Sequence, residues 1–263
     1  MAKASKKLET NPLKGLIETT YLFKGLDESW LSNYLTPEDL KLETLFSNRP
    51  VYTAFMPDEH LDSLYVVLDK GLIISRSTPL DRIIAITYPG GCFGMHNLPF
   101  SYGLATRSFP TLVEAYKTSQ VLKISLDSLQ RLYQDSQVIQ ERYRLFFELR
   151  AKFHYHLLNC STYPPQAIAA LLRGLIYQER ELGNQPKGGV YEFDLPVDLM
   201  ARACQLNQRT VEQVLKGMQQ VKLIDHLSKD KESSGDRIQV LEPEGLKAVY
   251  SATRDRVHWW PLK

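Results

Sequence analysis

The sequence predicts an α+β fold: an N-terminal antiparallel β-roll of the cupin-like, jelly-roll kind, one long helix, and a C-terminal winged helix-turn-helix. Three observations carry this. Between Val51 and Ile124, short runs of β-branched and aromatic residues alternate with turn residues, the signature of an antiparallel sandwich or roll. From about Asp135 to Cys160 apolar residues recur every three or four positions, which is the helical period. From Leu195 onward, two short helical patterns precede two short strand patterns, the order of a helix-turn-helix followed by a β-wing.

Composition sets the outer limits. The chain has 263 residues, 32 Lys+Arg against 30 Asp+Glu, and a formal net charge of +2. That length suits one large or two moderate domains. With 43% hydrophobic and 24% charged residues it can bury a core, which excludes wholesale disorder. No apolar run approaches the ~20 residues that span a bilayer. The basic start, MAKASKKLETNP, has no apolar stretch behind it, as a secretory signal requires. The expectation is a cytoplasmic protein with no membrane contact. Cys92, Cys160 and Cys204 are scattered and form no CxxC pair, which argues against a disulfide framework, a zinc ribbon or a four-cysteine iron–sulfur site.

Taken in order, residues 1–46 read as a helical segment, 47–134 as the roll, 135–163 as the long helix and 164–263 as the winged-helix module. In the first segment Leu16, Ile17, Tyr21 and Leu22, then Leu31, Tyr34 and Leu35, then Leu40, Leu42 and Leu45 keep helical spacing. Thr36 is the expected N-cap of a helix starting at Pro37, with Asp39 as the acid of a capping box. The roll strands are 51–55, 64–68, 72–75, 83–87, 112–115 and 121–124, broken by Pro57–His60, Lys70-Gly71 and Pro89-Gly90-Gly91. The long helix carries a wide aromatic stripe, and Pro164-Pro165 ends it, because proline lacks the N–H and disfavours α geometry before it. A further helix spans about Gln166–Leu182, and a short strand covers Val190–Phe193.

The sharpest motif follows. A first helix at about Val197–Ala203 turns Leu199, Met200 and Ala203 inward; Gln205-Leu206-Asn207 connect; a second helix from about Gln208 turns Val211, Val214, Leu215 and Met218 inward. Leu223-Ile224 and Arg237–Leu241 then read as the wing strands. Such a helix pair lays its second helix in the DNA major groove. Gln208, Arg209, Gln213 and Lys216 supply that chemistry: Gln suits adenine, Arg suits guanine and Lys suits phosphate. Asn207 and Thr210 suit a phosphate or a helix cap. Arg237 lies on the wing. The alternative is a plain helical pair with a solvated polar face.

With these modules in this order, the chain resembles the Crp/Fnr family of bacterial transcription regulators from about Val51 to Val249. The segments that carry the resemblance are DSLYVVLDKGLIISRS and RIIAITYPGGCFG in the roll, DLMARACQLNQRTVEQVLKGMQQVKLI in the helix pair, and RIQVLEPEGL in the wing. The resemblance implies a homodimer joined along the long helix, with Ile139, Tyr143, Phe146, Phe147, Arg150, Phe153, His154 and Leu157 at the seam. It implies a palindromic promoter site in double-stranded DNA as partner, and RNA polymerase as a second partner.

The departures from the family are informative. The cyclic-nucleotide branch resembles F-G-E-L followed by P-R-A-S/T, whereas Met95 follows Phe93-Gly94 here and no P-R-A-S/T lies between Met95 and Ala115. That argues against a cyclic nucleotide. Arg107-Ser108-Phe109 is similar to the arrangement in the cyanobacterial nitrogen-control regulators, which sense 2-oxoglutarate. The implied effector is a small anion such as 2-oxoglutarate, with Phe93, Gly94, Met95, Arg107, Ser108 and Arg142 as candidate contacts. Operation without any effector is the other reading. The recognition helix of the cyclic-nucleotide branch resembles S-R-E-T-V-x-R; this chain has Asn207-Gln208-Arg209-Thr210-Val211-Glu212-Gln213, so a different half-site is expected, read chiefly by Gln208 and Arg209. No cysteine cluster precedes Cys92, as an Fnr-type iron–sulfur sensor needs.

His154 and His156 lie two apart on the helix and face different sides, so no metal is expected. No paired carboxylates, nucleophile elbow or phosphate loop stands in a workable frame, so no catalytic residue and no enzyme is expected. A scaffold that kept this fold and lost DNA reading is the competing function. From Pro196 onward there are 11 Lys+Arg against 9 Asp+Glu. Bulk charge is therefore weak, and the placement of Arg209, Lys216 and Arg237 around one helix and its wing is what points to DNA.

Overall fold

Strand alternation sorts the apolar residues of the N-terminal half into two separate cores. In the computed structural model, residues 12–53, 61–69, 71–77, 82–94, 112–158, 163–227, 237–251 and 257–260 are described. Helices α1 (Pro12–Thr19) and α2 (Glu28–Leu31) precede strands β1 (Leu40–Leu45), β2 (Arg49–Thr53), β3 (Ser63–Asp69), β4 (Leu72–Ser77), β5 (Arg82–Thr87), β6 (Cys92–Phe93), β7 (Leu112–Lys117) and β8 (Ser119–Ser125). These pair into two four-stranded sheets, in the orders β1-β8-β3-β6 and β2-β7-β4-β5. Every pairing is antiparallel. The two sheets face each other across Leu45, Tyr65, Val67, Phe93 and Val121 from one and Ile73, Val113 and Ala115 from the other. The intervening residues Leu64, Val66, Leu68, Cys92, Leu122 and Ile124 point the other way, into a second core beneath the helices. Side chains along a strand alternate between faces, so one run of apolar residues serves both cores.

The helical layer over that outer face differs from the sequence expectation in two places. The expected helix after Thr36 is strand β1, paired residue by residue with β8 from Leu40↔Ile124 to Leu45↔Ser119. The capping-box contacts form nonetheless: the Asp39 carboxylate accepts from the Thr36 N–H at 2.9 Å and from its hydroxyl at 2.7 Å. They close a turn instead of starting a helix, because the edge of β8 offers Leu40–Leu45 a ladder of partners. The long helix is also divided. Helix α3 (Leu126–Asp135) ends at Ser136, whose backbone is extended, and α4 (Gln137–Leu158) starts beyond it. Ser125 caps α3 by accepting the Ser128 N–H, and the Ser136 hydroxyl accepts the Ile139 N–H at 3.3 Å. Serine's short hydroxyl competes for backbone groups in this way, which favours caps over helix interiors. Leu129, Leu132 and Tyr133 of α3 and Ile139 and Tyr143 of α4 join Leu16, Leu22, Phe23, Leu31 and Leu35 in the second core.

The chain divides into two units, residues 1–151 and 152–263, with the division inside α4. The second unit contains α5 (Pro164–Glu181), β9 (Tyr191–Asp194), α6 (Val197–Cys204), α7 (Gln208–Gln220), β10 (Ile224–Leu227), β11 (Arg237–Val240) and α8 (Pro243–Ser251). Pro164 and Pro165 occupy the first turn of α5, where a missing N–H costs nothing. They therefore start a helix as well as stand after one. The Phe153 ring lies 3.0 Å from where a Cβ would sit on Gly174 of α5. Helices α5, α6 and α7 pack on one another, and α8 packs on α5. The strands form an antiparallel sheet in the order β10-β11-β9.

The C-terminal aromatics belong to this unit. Val257 and Trp260 are buried. A Cβ on Gly217, in the middle of α7, would collide with the Trp259 ring. Gly217 is thus the hollow in the helix surface that seats the indole.

Two expected outcomes follow from this packing. Partial burial would by itself raise the Asp39 pKa, but hydrogen bonds from Ser128, Thr36 and Ser125 outweigh it and hold the carboxyl at about 2, below its ordinary 3.8. The ionised form is the one the fold prefers, so its contribution is complete above about pH 4 and fades as pH falls toward 2. Asp39→Asn lowers unfolding stability by about 1–2 kcal/mol at pH 7, and the gap to the parent chain narrows below pH 4 in urea titrations. Gly217→Ala costs about 1–3 kcal/mol by overpacking and shifts the tryptophan emission. A smaller residue at Trp259 restores much of the loss, and calorimetry of the single and double variants measures the coupling.

Candidate nucleic-acid interface

The most chemically distinctive surface is built on α6, α7 and the three-stranded sheet. Helix α6 ends at Gln205, which adopts a left-handed conformation (φ 55°, ψ 42°) and returns its N–H to the Ala201 carbonyl. The chain extends through Leu206 to Asn207, whose side chain accepts the Thr210 N–H at 2.8 Å and caps α7. Of the two roles open to Asn207, the cap is the one its side chain fills. Val211, Val214, Leu215 and Met218 are buried on one side of α7. Arg209, Gln213 and Lys216 lie on the other, at intervals of four and three, and so form one exposed stripe. Gln208 and Glu212 are exposed beside it, and Thr210 is half-buried. Among the described residues, neither Arg209 nor Lys216 is held in an ion pair.

The wing strand places Arg237 differently. Its Nη1 lies 3.0 Å from a Glu192 oxygen, and Gln239 donates to the other oxygen at 3.1 Å. Both partners of the ion pair are about half exposed, where such bridges contribute at most about 1 kcal/mol. A competing phosphate can displace one at little cost.

In the N-terminal unit the candidate effector residues separate. Phe93 is buried in the roll and stacks on Tyr65 with ring centroids 4.7 Å apart. Gly94 follows with φ +90°, and a Cβ there would strike the Ser63 carbonyl oxygen, so only glycine fits the turn. Met95, Arg107 and Ser108 lie outside the described residues. Arg142 is engaged elsewhere: Nη1 donates to the Leu22 carbonyl at 3.2 Å and the Lys24 carbonyl at 2.7 Å, and the guanidinium lies 5.7 Å from the Tyr21 ring centre. It fastens the segment after α1 to α4.

The residues expected on a dimer seam also take different positions. Ile139 and Tyr143 are closed into the second core of their own chain. Phe153, His154 and Leu157 are buried, whereas Phe146 and Phe147 are half-buried. Val138 and Tyr155 are the large apolar side chains that α4 leaves exposed, at 42% and 65%. The Arg150 Nε and Nη2 atoms are shut off from solvent. Neither the fastening role of Arg142 nor the Trp259 seat on Gly217 was visible in sequence; both depend on contacts between residues more than 40 positions apart.

Among the described residues, no group of three or more His, Cys, Asp or Glu could hold a metal ion, and no helix is long and apolar enough to cross a membrane. Cys92 is buried, and burial pushes its thiol up to about 12.

No family model and no curated protein matches the chain. Solved structures do. The structure of FixK2 from Bradyrhizobium japonicum is 14% identical with a TM-score of 0.57, and the match covers 81% of this chain and 98% of that one. TTHB099, a CRP-family transcriptional regulator from Thermus thermophilus, is 14% identical with a TM-score of 0.51, covering 80% and 97%. A candidate transcriptional regulator of the crp/fnr family from Eubacterium rectale is 13% identical with a TM-score of 0.51, covering 88% and 98%. The chain therefore has the fold of Crp/Fnr-type regulators along most of its length: a β-roll, a long helix and a C-terminal helix-and-wing module.

Proposed function

We propose that this protein is a dimeric, sequence-specific DNA-binding transcription regulator of the Crp/Fnr type. The observation that carries the reading is the α7 stripe of Arg209, Gln213 and Lys216, exposed and, among the described residues, held in no ion pair, over a buried opposite face. In the major groove, Gln208 and Arg209 at the start of α7 meet base edges, and Lys216 meets phosphate. The α7 N-terminus adds its own partial positive charge, although Asn207 already occupies one of its free N–H groups. Arg237 reaches phosphate from the wing once its bridge to Glu192 opens. The non-specific component of binding is modest, because the charge balance of this module is low.

The dimer forms along α4 through the surface that carries Val138, and two α7 helices then read half-sites about one helical turn apart. The roll senses a small anion, of which 2-oxoglutarate is one example; by the Arg107-Ser108-Phe109 resemblance the chain stands nearer the nitrogen-control branch than the cyclic-AMP branch. RNA polymerase is the second partner. An effector acts by binding the two arrangements of the DNA modules with different affinity.

Selection from random duplex DNA tests this. A two-fold symmetric site is expected to be enriched by the full chain; its absence, with and without 2-oxoglutarate, sinks the reading. Arg209→Ala should cost about 1–3 kcal/mol on the selected site and relax preference at one base position. Lys216→Ala should weaken all sequences alike and reduce the salt slope by about 1.

A further inference from the structure

We propose that Trp259 is a positioning residue for DNA reading: seated on Gly217, it fixes the rotation of α7 about its axis and so the aim of Gln213 and Arg209. This rests on the reading above, that α7 enters the major groove. Helix α7 packs on α5, α6 and β10, and its buried side carries Val211, Val214, Leu215 and Met218. At 3.6 residues per turn, Val214 lies about 60° round the helix from Gly217 in one direction; Gln213, Arg209 and Lys216 lie about 40°, about 80° and about 100° round it in the other. Gly217 therefore marks the seam between the buried face and the exposed stripe. The part of Trp259 at this seam is the benzo edge of the indole: a Cβ on Gly217 would collide with Cε3 and lie 2.7 Å from Cζ3 and 3.4 Å from Cδ2. The contact is one of shape, without a hydrogen bond from the ring nitrogen on the opposite edge.

The wedge is itself held. Val257 and Trp260 are buried on either side of exposed His258 and half-buried Trp259. The Trp260 N–H donates to the Val257 carbonyl at 3.1 Å, and the Trp260 ring stands edge-on to Trp259 with centroids 6.5 Å apart. Glycine is among the poorest helix formers, yet one stands inside α7 at the position where the indole needs the missing side chain. A helix packed on one side alone can roll about its axis; a bulky ring lodged at the border of its buried face opposes that roll. Paired hydrogen bonds to a base edge need their donors aimed within about 10–20°, whereas a flexible lysine follows a phosphate through such a change. Roll of α7 thus harms base reading and spares backbone contact. The ring leaves Arg209, Gln213 and Lys216 exposed, so it borders the stripe without covering it.

The test compares the full chain and its variants on two duplexes: the one selected by the parent chain, and the same duplex with a base pair changed in each half-site. Affinities are read by fluorescence anisotropy over a range of salt, well below the melting temperature of each variant. Trp259→Ala is expected to lower the ratio of the two affinities by about tenfold and to leave the salt slope unchanged. Trp259→Phe restores much of the ratio, because a smaller ring still fills the seat. The double variant Gly217→Ala/Trp259→Ala regains helix propensity without the wedge, and is expected to fold and still discriminate poorly. An unchanged ratio in folded Trp259→Ala and in the double variant makes the ring a space-filler and overturns the proposal. A salt slope reduced by about 1 shows a direct phosphate contact instead, and tighter binding of both duplexes shows a tail that masks α7; either overturns it. If neither variant is folded at the assay temperature, Trp259 is a core residue of the unit and the proposal fails. A parent chain that selects a site, with variants that discriminate as it does, loses this proposal alone; a parent chain that selects no site loses the DNA reading, and this proposal with it.

Discussion

β3 is a wall with a core on either side. Ser63 to Leu68 are all buried, with Tyr65 and Val67 inside the roll and Leu64, Val66 and Leu68 under the helices. A slip of one residue would exchange the two sets and place the tyrosine beneath the helical layer. Pairing with β8 along one edge and with β6 along the other holds the register. Much else follows from that register. It sends Phe93 into the roll and its neighbour Cys92 toward α4, and it brings the Ser63 carbonyl so close to Gly94 that no side chain fits. The outer face of the same sheet is the floor on which α3 and α4 lie, so the position of Tyr143 is set by β3 as well.

Three arginines show how surroundings divide one side-chain chemistry into three roles. Arg142 meets carbonyl oxygens at the surface of the helical layer and ties two chain segments together. Arg150, two turns further along α4, has its Nε and Nη2 shut off from solvent beside Tyr143. Arg209 is exposed on α7, and among the described residues no acid holds it. Only the last has the electrostatic freedom to approach a polyanion. Arg237, bridged to Glu192, stands between these extremes.

The elements that were legible from the residues are those whose periodicity and punctuation agree. The roll strands alternate and end at glycine and proline, and the predicted runs fall within or next to β2–β5, β7 and β8. The helix pair is legible because Val211, Val214, Leu215 and Met218 keep a strict spacing behind Asn207, and each is buried as expected. The segment around Leu40–Leu45 misled for a physical reason: Leu40, Leu42 and Leu45 fit a helix and a strand about equally, and a long-range partner, β8, made the choice. The break at Ser136 was hidden because the apolar spacing continues across it, while the polar contact that creates it is a hydrogen bond from the Ile139 N–H to one hydroxyl.

By itself the sequence determined the order of modules, the faces of the amphipathic elements and the polar stripe on α7, because these are set by local periods of two and 3.6 residues. Only the tertiary structure decided which ionisable groups are satisfied and which are idle. Arg142 and Arg150 are eight residues apart on one helix, and nothing in their spacing tells that one meets carbonyls from Leu22 and Lys24 while the other lies beside Tyr143 with two nitrogens shut off from solvent. Trp259 and Gly217 are similarly unremarkable apart and complementary together. Hydrogen-bond satisfaction and burial are properties of neighbours brought together by folding, and the sequence order of those neighbours carries little information about them.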